Sequence, residues 1–297
     1  MNNNARTLRV HAPAKINLTL DVLGQRPDGY HELATIMVPL TLADELEIIF
    51  KPQPVSDIRI ITAEPELQDP HTNLAALAAA KFLQAGRLNA AVQLKLKKSI
   101  PLGAGLAGGS SDAAAVLRGL QQLTAALEPE QLRQLAEKLG SDVPFCLLNQ
   151  PALATGRGEQ LTPLKNALPM EIVILKPDFS LSTAAIFKVW SPDPQAAPAG
   201  QEAFLAAWEL QDLKALCSYM HNHLEATVRR RYPEIETLKQ HLLAAGALRA
   251  QMSGSGPSVF GVFADAAAAR QACRQFKNLN ALCLHTRTQV QQREADT

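Results

Sequence analysis

Ile100-Pro101-Leu102-Gly103-Ala104-Gly105-Leu106-Ala107-Gly108-Gly109-Ser110-Ser111-Asp112-Ala113-Ala114 joins two unlike sequence patterns. Before it, Val92, Leu94 and Leu96 alternate with Gln93, Lys95 and Lys97, as in a strand with one buried face. After it, Ala113-Ala114-Ala115-Val116-Leu117 favours a helix. Glycine lets backbone approach a ligand closely or take positive φ. The first turn of a helix offers unpaired N–H groups and the positive end of its dipole. Strand, glycine loop and helix start, in that order, make a phosphate site. The loop lacks the Gly-Lys-Ser/Thr ending of a P-loop, and its spacing fails the dinucleotide pattern. The plainer alternative is a Gly/Ala turn with Ser110 as helix N-cap, although four glycines make such a turn costly.

Around this loop, 297 residues allow one large domain or two ordinary ones, and a 47% hydrophobic content sustains a packed core. A net charge of +1 gives no global field for nucleic acid or a membrane surface, so neither is an expected partner. The basic run Arg229-Arg230-Arg231 lies near the end of a helical stretch, where cations suit the dipole. Cys146, Cys217, Cys273 and Cys283 are scattered without zinc-site spacing, and buried reduced thiols are expected. The N-terminus lacks the apolar run of a signal peptide, and no apolar stretch is long enough to cross a bilayer. A soluble cytoplasmic protein is the expectation.

Strands are expected over Leu8 to Leu23, His31 to Phe50 and Asp57 to Thr62, then a helix over Leu74 to Gln84 capped by Asn73. Helices follow the glycine loop to about Leu123 and from Pro129 to Leu139. Thr155-Gly156-Arg157-Gly158 reads as a turn, and Glu171 to Leu175 as a buried strand. Ser182 or Thr183 opens a helix, the proline-rich segment from Ser191 to Gly200 is a surface loop, and helical patterns run from Ala203 to Ala245. Leu248 to Met252 and Ser258 to Phe263 read as strands, Asp265 to Phe276 as a helix, and Ala281 to Thr288 as a last strand. This is the order of a split βαβ, ferredoxin-like domain, with a frayed end after Val290.

Three further segments carry candidate chemistry. In Pro13-Ala14-Lys15-Ile16-Asn17-Leu18, Lys15 and Asn17 share one strand face, either solvated or functional. In Gly140-Ser141-Asp142-Val143-Pro144-Phe145, Asp142 is either a turn former or a general base for a hydroxyl. Ser253-Gly254-Ser255-Gly256-Pro257-Ser258 is either a hairpin turn or a second backbone surface for phosphates.

Lys15-Ile16-Asn17-Leu18, the loop from Pro101 to Ser111 and Ser253-Gly254-Ser255-Gly256 resemble the three motifs of the galactokinase, homoserine kinase, mevalonate kinase and phosphomevalonate kinase (GHMP) superfamily. They stand in the family's order and span nearly the whole chain. Arg26-Pro27-Asp28-Gly29-Tyr30-His31-Glu32-Leu33 and the Asp142 segment resemble one member whose substrate carries a cytidine diphosphate group. The resemblance implies a two-domain α+β fold, with a ribosomal-protein-S5-like ATP domain over 1–160 and a ferredoxin-like domain over 161–290. It implies phosphorylation by ATP, with Mg²⁺, of the 2-hydroxyl of a methylerythritol unit, in non-mevalonate isoprenoid precursor synthesis.

The implied roles follow motif by motif. Asp142 corresponds to the catalytic aspartate and Lys15 to its charge partner. Tyr30, His31 and Phe187 match the cytosine site, and Asn17 and Thr183 the reacting end. Asn73 and Lys98 match adenine-side positions. Pro101, Leu102, Gly103, Ala104, Gly105, Leu106, Ala107, Gly108, Gly109, Ser110 and Ser111 match the triphosphate cradle, with Ser110 and Ser111 nearest to Mg²⁺. Ala104 and Ala107 stand where many family loops have glycine, and negative φ is expected there. Pro257 lacks an N–H, which leaves Ser255 and Gly256 as phosphate donors. The rival readings are another kinase of the family, for a mevalonate-type or homoserine-type substrate, and a non-catalytic nucleotide-binding module on the same scaffold. The aromatic residues argue against the first, and the intact Lys15 and Asp142 against the second.

Overall fold

The computed structural model describes residues 4–191 and 200–289. Most of the proline-rich segment read as a surface loop, and the end after Val290, lie outside these residues. The chain folds into two compact units, and neither is one stretch of sequence. The first comprises Met1–Ala14, Leu42–Pro101 and Ala107–Asn149; the second comprises Lys15–Thr41, Leu102–Leu106 and Gln150–Thr297. Two long strands, β1 (Arg6–Gln25) and β2 (His31–Pro52), contribute to both.

The first unit adds β3 (Asp57–Thr62), α1 (Leu74–Ala85), β4 (Ala90–Lys97), α2 (Gly108–Thr124), α3 (Pro129–Leu139) and α4 (Val143–Leu148). β4 pairs antiparallel with β2 from Glu45↔Lys97 to Pro52↔Ala90, and β3 runs parallel to β4. The alternation of β4 is the predicted one: Val92, Leu94 and Leu96 are buried, while Lys95 and Lys97 face outward to Glu47 and Glu45. Asn73 caps α1, its side chain accepting from Ala75 N and Ala76 N. Ala113 to Leu117 are all buried, so α2 is covered on every side there, and Gly119 gives Ile48 room to pack against it.

At the loop the structure excludes one alternative and corrects one expectation. α2 starts at Gly108, so Ser110 lies inside the helix rather than at its N-cap. Ala107 takes that place in the left-handed region, at φ 58, where negative φ was expected. Its carbonyl accepts Ser111 N at 2.8 Å, so the chain must reverse within one residue to begin the helix.

The second unit adds β5 (Ala152–Gly156), β6 (Gln160–Pro163), β7 (Glu171–Pro177), α5 (Thr183–Val189), α6 (Gln201–Glu209), α7 (Leu213–Tyr219), β8 (His221–Asn222), α8 (Glu225–Arg231), α9 (Glu234–Ala244), β9 (Arg249–Met252), β10 (Val259–Phe263), α10 (Ala266–Gln275) and β11 (Ala281–Arg287). Its antiparallel sheet has the order β11-β7-β10-β9, the split βαβ topology expected. Val173, Leu175, Val259 and Phe263 of this sheet share a core with Val228, Ile235, Leu242 and Ala272 of its helices.

One reading is extended here and two change. The turn at 155–158 joins a hairpin, β5 with β6, and β5 pairs with β2 from Leu33↔Gly156 to Met37↔Ala152. The helical run from Ala203 to Ala245 is four helices interrupted by β8, which pairs with β1 at Thr19 and Leu20. Cys146 and Cys217 are buried, but Cys273 and Cys283 are only half-buried; all four are free thiols.

Candidate active site

In the second unit, Lys15 and Asn17 are buried, at 5% and 3% exposure, rather than on a solvated strand face. β1 is covered on both faces from Ala12 to Val22, which overrides the alternation rule for one-sided strands. Lys15 Nζ donates to Asn17 Oδ1 at 2.8 Å, and Asn17 Nδ2 donates to Thr35 Oγ1 at 2.8 Å. Glycine 254 stands beside this pair: a Cβ there would lie 3.2 Å from Asn17 Oδ1 and 3.6 Å from Lys15 Nζ. The start of the glycine loop is interlocked with the same turn. Ser253 Oγ donates to Gly105 O at 3.2 Å, Ser258 N to Ala104 O at 3.3 Å, and Lys15 N to Leu106 O at 3.1 Å. A Cβ on Gly105 would fall 2.6 Å from Gly256 O.

The fold therefore brings Lys15, Asn17, Ala104 to Leu106 and Ser253 to Gly256 together, while Gly103 lies against Ser180. Thr183 joins them through its hydroxyl, 2.8 Å from Ser255 Oγ. Gly256 N is not an open phosphate donor as expected, because it donates to Ser253 O at 2.9 Å within the turn. Its glycine is required by space and φ: a Cβ would lie 2.6 Å from Met252 Sδ, at φ +79.

On the expected base side, Tyr30 is 56% exposed, and the Arg157 guanidinium lies 5.0 Å from its ring centre. His31 stacks on Phe187 at 5.1 Å, and Trp190 meets His31 edge-on at 5.6 Å. Trp190 was missed in the sequence, although it stands three residues after Phe187 and so on the same side of that helical turn.

In the first unit, Lys98 is buried between Asp44 and Asp112, with Asp112 Oδ2 at 2.8 Å. Burial alone lowers the Lys98 ammonium pKa, and the two carboxylates more than reverse this. Asp112 is pushed up to about 7 by burial, with Lys98 opposing and Asp44 reinforcing. Asp44 Oδ1 also accepts Ser99 N at 2.5 Å and Ile100 N at 2.8 Å, which fixes the strand end entering the loop. No local sequence signal reveals this triad, whose members lie 54 and 14 positions apart. Gly108 packs closely beside it: a Cβ would sit 3.2 Å from Lys98 Nζ and from Ile100 Cγ2, so those side chains would have to shift by a few tenths of an ångström.

The Asn73 side chain is engaged by its helix, its Nδ2 also donating to Leu67 O at 2.9 Å. Gly109 and Ser110 stand in the first turn of α2, and the buried Ser111 hydroxyl donates to Pro13 O at 2.7 Å. The half-buried Ser110 offers a hard oxygen ligand, which fits Mg²⁺ held mainly by water and phosphate; the Ser111 hydroxyl, turned into the interior, does not fit that role. Half-buried Asp142 precedes α4, and its side chain makes no capping bond there.

One other group could hold a metal among the described residues: Asp21, His221 and His223. The hydrogen bonds argue otherwise. His223 Nδ1 accepts Val22 N at 3.1 Å, so its Nε2 carries the proton and cannot ligate. His221 Nδ1 lies 2.9 Å from Tyr219 O and its Nε2 2.7 Å from Asp21 Oδ1, so both nitrogens donate. Burial works against that charge, but Asp21 and the Tyr219 carbonyl raise the His221 pKa overall. The group is an ion pair.

Family models match both parts of the chain: GHMP kinases N terminal domain over residues 73–150, and GHMP kinases C terminal over residues 202–281. The chain belongs to the GHMP kinases, and it is an ATP-dependent small-molecule kinase. Within them it resembles the 4-diphosphocytidyl-2-C-methyl-D-erythritol kinase of Pelotomaculum thermopropionicum, 42% identical over 93% of this chain and 96% of that protein. The enzyme of that name from Syntrophomonas wolfei is 44% identical over 92% and 95%. A crystal structure of 4-(cytidine 5'-diphospho)-2C-methyl-D-erythritol kinase superposes with a TM-score of 0.82 at 34% identity, covering 96% of this chain and all of that one. A homoserine kinase from Cytophaga hutchinsonii, at 20% identity and a TM-score of 0.74 over 96% of this chain and 95% of that one, shares the fold. Among the described residues no helix is long and apolar enough to cross a membrane.

Proposed function

We propose that this kinase transfers the γ-phosphoryl group of ATP to the 2-hydroxyl of 4-diphosphocytidyl-2-C-methyl-D-erythritol, in the non-mevalonate route to isoprenoid precursors. The observation that carries the reading is 42% identity to a relative of that name over 93% of the chain. The aromatic group of Tyr30, His31 and Phe187 supports it, since mevalonate and homoserine have no base to stack. In this reading cytosine lies on the exposed Tyr30 ring, with Phe187 on its other side; each stack contributes about 1–3 kcal/mol. His31, braced by Phe187 and Trp190, reads the hydrogen-bonding edge of the base.

Asp142 is the general base, taking the proton of the 2-hydroxyl as its oxygen attacks the γ-phosphorus in line. Lys15 is its charge partner and stabilises the oxygen as it loses the proton. Asn17 and Thr183 orient the reacting end. The first-turn N–H groups of α2 and the glycine loop bind the triphosphate, and Asn73 and Lys98 border the adenine. Ser110 would hold Mg²⁺, which neutralises phosphate charge when bound. We assign the ATP-binding part to 1–160 and the ferredoxin-like part to 161–290.

The test is ADP release with the cytidyl substrate, mevalonate and homoserine side by side. Turnover with the cytidyl substrate at least about a hundredfold above the other two is expected, because a site built for a base leaves its groups unpaired without one. Comparable turnover with mevalonate or homoserine overturns the substrate assignment and leaves the kinase assignment standing.

A further inference from the structure

Asn222 has no part in the chemistry above, yet its side chain holds the third glycine segment at two points. Its Nδ2 donates to Met252 O and to Gly254 O, each at 2.8 Å, and its Oδ1 accepts Leu224 N at 2.9 Å. Both N–H groups of one carboxamide are thus committed to the two carbonyls that flank Ser253. Glu225 adds a third hold, its Oε2 accepting Met252 N at 2.8 Å. The platform that carries Asn222 is itself fixed to β1, the strand of Lys15 and Asn17. His223 N donates to Leu20 O at 2.9 Å, and the Asp21–His221 pair closes on the other side.

This arrangement sets the direction of one peptide plane. In a trans peptide the carbonyl and the following N–H point opposite ways. Gly254 O is aimed at Asn222, so Ser255 N–H is aimed away from it. It is also one of two donors left over in this turn, with Gly254 N–H, because Gly256 N–H is taken by Ser253 O and Pro257 has none. With φ +56 at a residue that lacks Cβ, the 254–255 peptide turns over easily unless something holds it.

We propose that Asn222 is a positioning residue for phosphoryl transfer: by holding the Gly254 carbonyl it presents Ser255 N–H to the terminal phosphate at the Lys15 end of the site. The proposal rests on reading the Lys15 end as the reacting end, and its test needs no acceptor substrate. Asn222→Asp keeps the shape of the side chain but sets a carboxylate against both carbonyls. Asn222→Ala leaves the carbonyls to water. Calorimetry compares the binding of a non-hydrolysable ATP analogue with that of ADP, each with Mg²⁺. Asn222→Asp should weaken the analogue at least about tenfold, the size of one charge-assisted hydrogen bond, and ADP less than about threefold. Asn222→Ala should fall between Asn222→Asp and the parent. Equal losses for both nucleotides, no loss for either, or a weaker Ala than Asp variant would overturn the proposal, since space-filling alone predicts that last order. If Asn222→Asp does not fold, Asn222→Ala decides by the same ratio: an unchanged analogue-to-ADP ratio refutes the proposal, and a shift against the analogue supports it.

Discussion

Gly105→Ala and Gly109→Ala make the same chemical change four positions apart, and the structure assigns them opposite signs. At Gly105 the new Cβ would lie 2.6 Å from Gly256 O and 2.8 Å from Ser253 O, both backbone atoms that cannot rotate aside. The residue also sits at φ +74. The left-handed conformation costs an alanine about 1–2 kcal/mol. Overpacking against fixed atoms adds about 1–3 kcal/mol. The stiffer unfolded chain returns about 0.4–1 kcal/mol. A net loss of about 1–5 kcal/mol follows, large against a total stability of about 5–15 kcal/mol. At Gly109 nothing lies within 4 Å of the Cβ position and the residue is helical, so alanine should gain up to about 1 kcal/mol. Urea unfolding measures both. Trp190 and Trp208 both belong to the unit that contains Gly105, so tryptophan fluorescence reports that unit directly, and far-UV circular dichroism follows the helix that begins beside Gly109. A Gly105→Ala protein whose fluorescence midpoint matches the parent would show that the loop and the 253–256 turn are not in contact as described.

Asp142→Asn should lower kcat at least about a hundredfold while ATP affinity stays within about twofold, because a carboxamide cannot take the hydroxyl proton; ADP release and calorimetry on the same folded protein check this, and near-parental kcat refutes the role. The Asp112 carboxyl sits well above its unfolded value of about 3.9, at about 7, because it is buried. The folded state therefore holds a proton that the unfolded state has lost, so this group's contribution is fully present below about pH 4 and disappears as pH rises through about 7. Asp112→Asn should remove that decline, giving a smaller drop in urea midpoint than the parent shows between about pH 4.5 and 7.5; parallel curves for the two proteins refute it.

Local chemistry made much of this fold readable. Asn73 before an alanine run, Pro129 at a first turn and the strand alternation of β4 each act over a few residues, and the sequence displays them directly. The ferredoxin-like order was readable because β7, β9 and β10 each carry a buried run bounded by turn residues, and β11 follows a helix at the end of the same order. What stayed hidden depends on distant partners. β8 has two residues and exists only because Thr19 and Leu20 lie alongside it. Lys15 reads as a surface lysine until β1 is seen to be covered on both faces. The Asp44–Lys98–Asp112 triad draws its members from β2, the residue after β4 and α2, and Asn222 finds its carbonyls 30 and 32 positions away. Ala107 misled the reading for another reason: an alanine held at φ 58 by its surroundings leaves no mark in composition.

The division of the chain also dictates an order of assembly during synthesis. Residues 107–149 complete the first compact unit, so all its parts have been made when about half the chain exists. The second cannot close then, although Lys15–Thr41 and Leu102–Leu106 have long been waiting, because the rest of it begins at Gln150. Asp21 meets His221 only after 200 further residues have been added. Until that moment the strand of Lys15 and Asn17 has no partner across β8, and its apolar residues Leu20 and Val22 lack the core they finally enter. Such distant closures are slow and leave apolar strand exposed meanwhile.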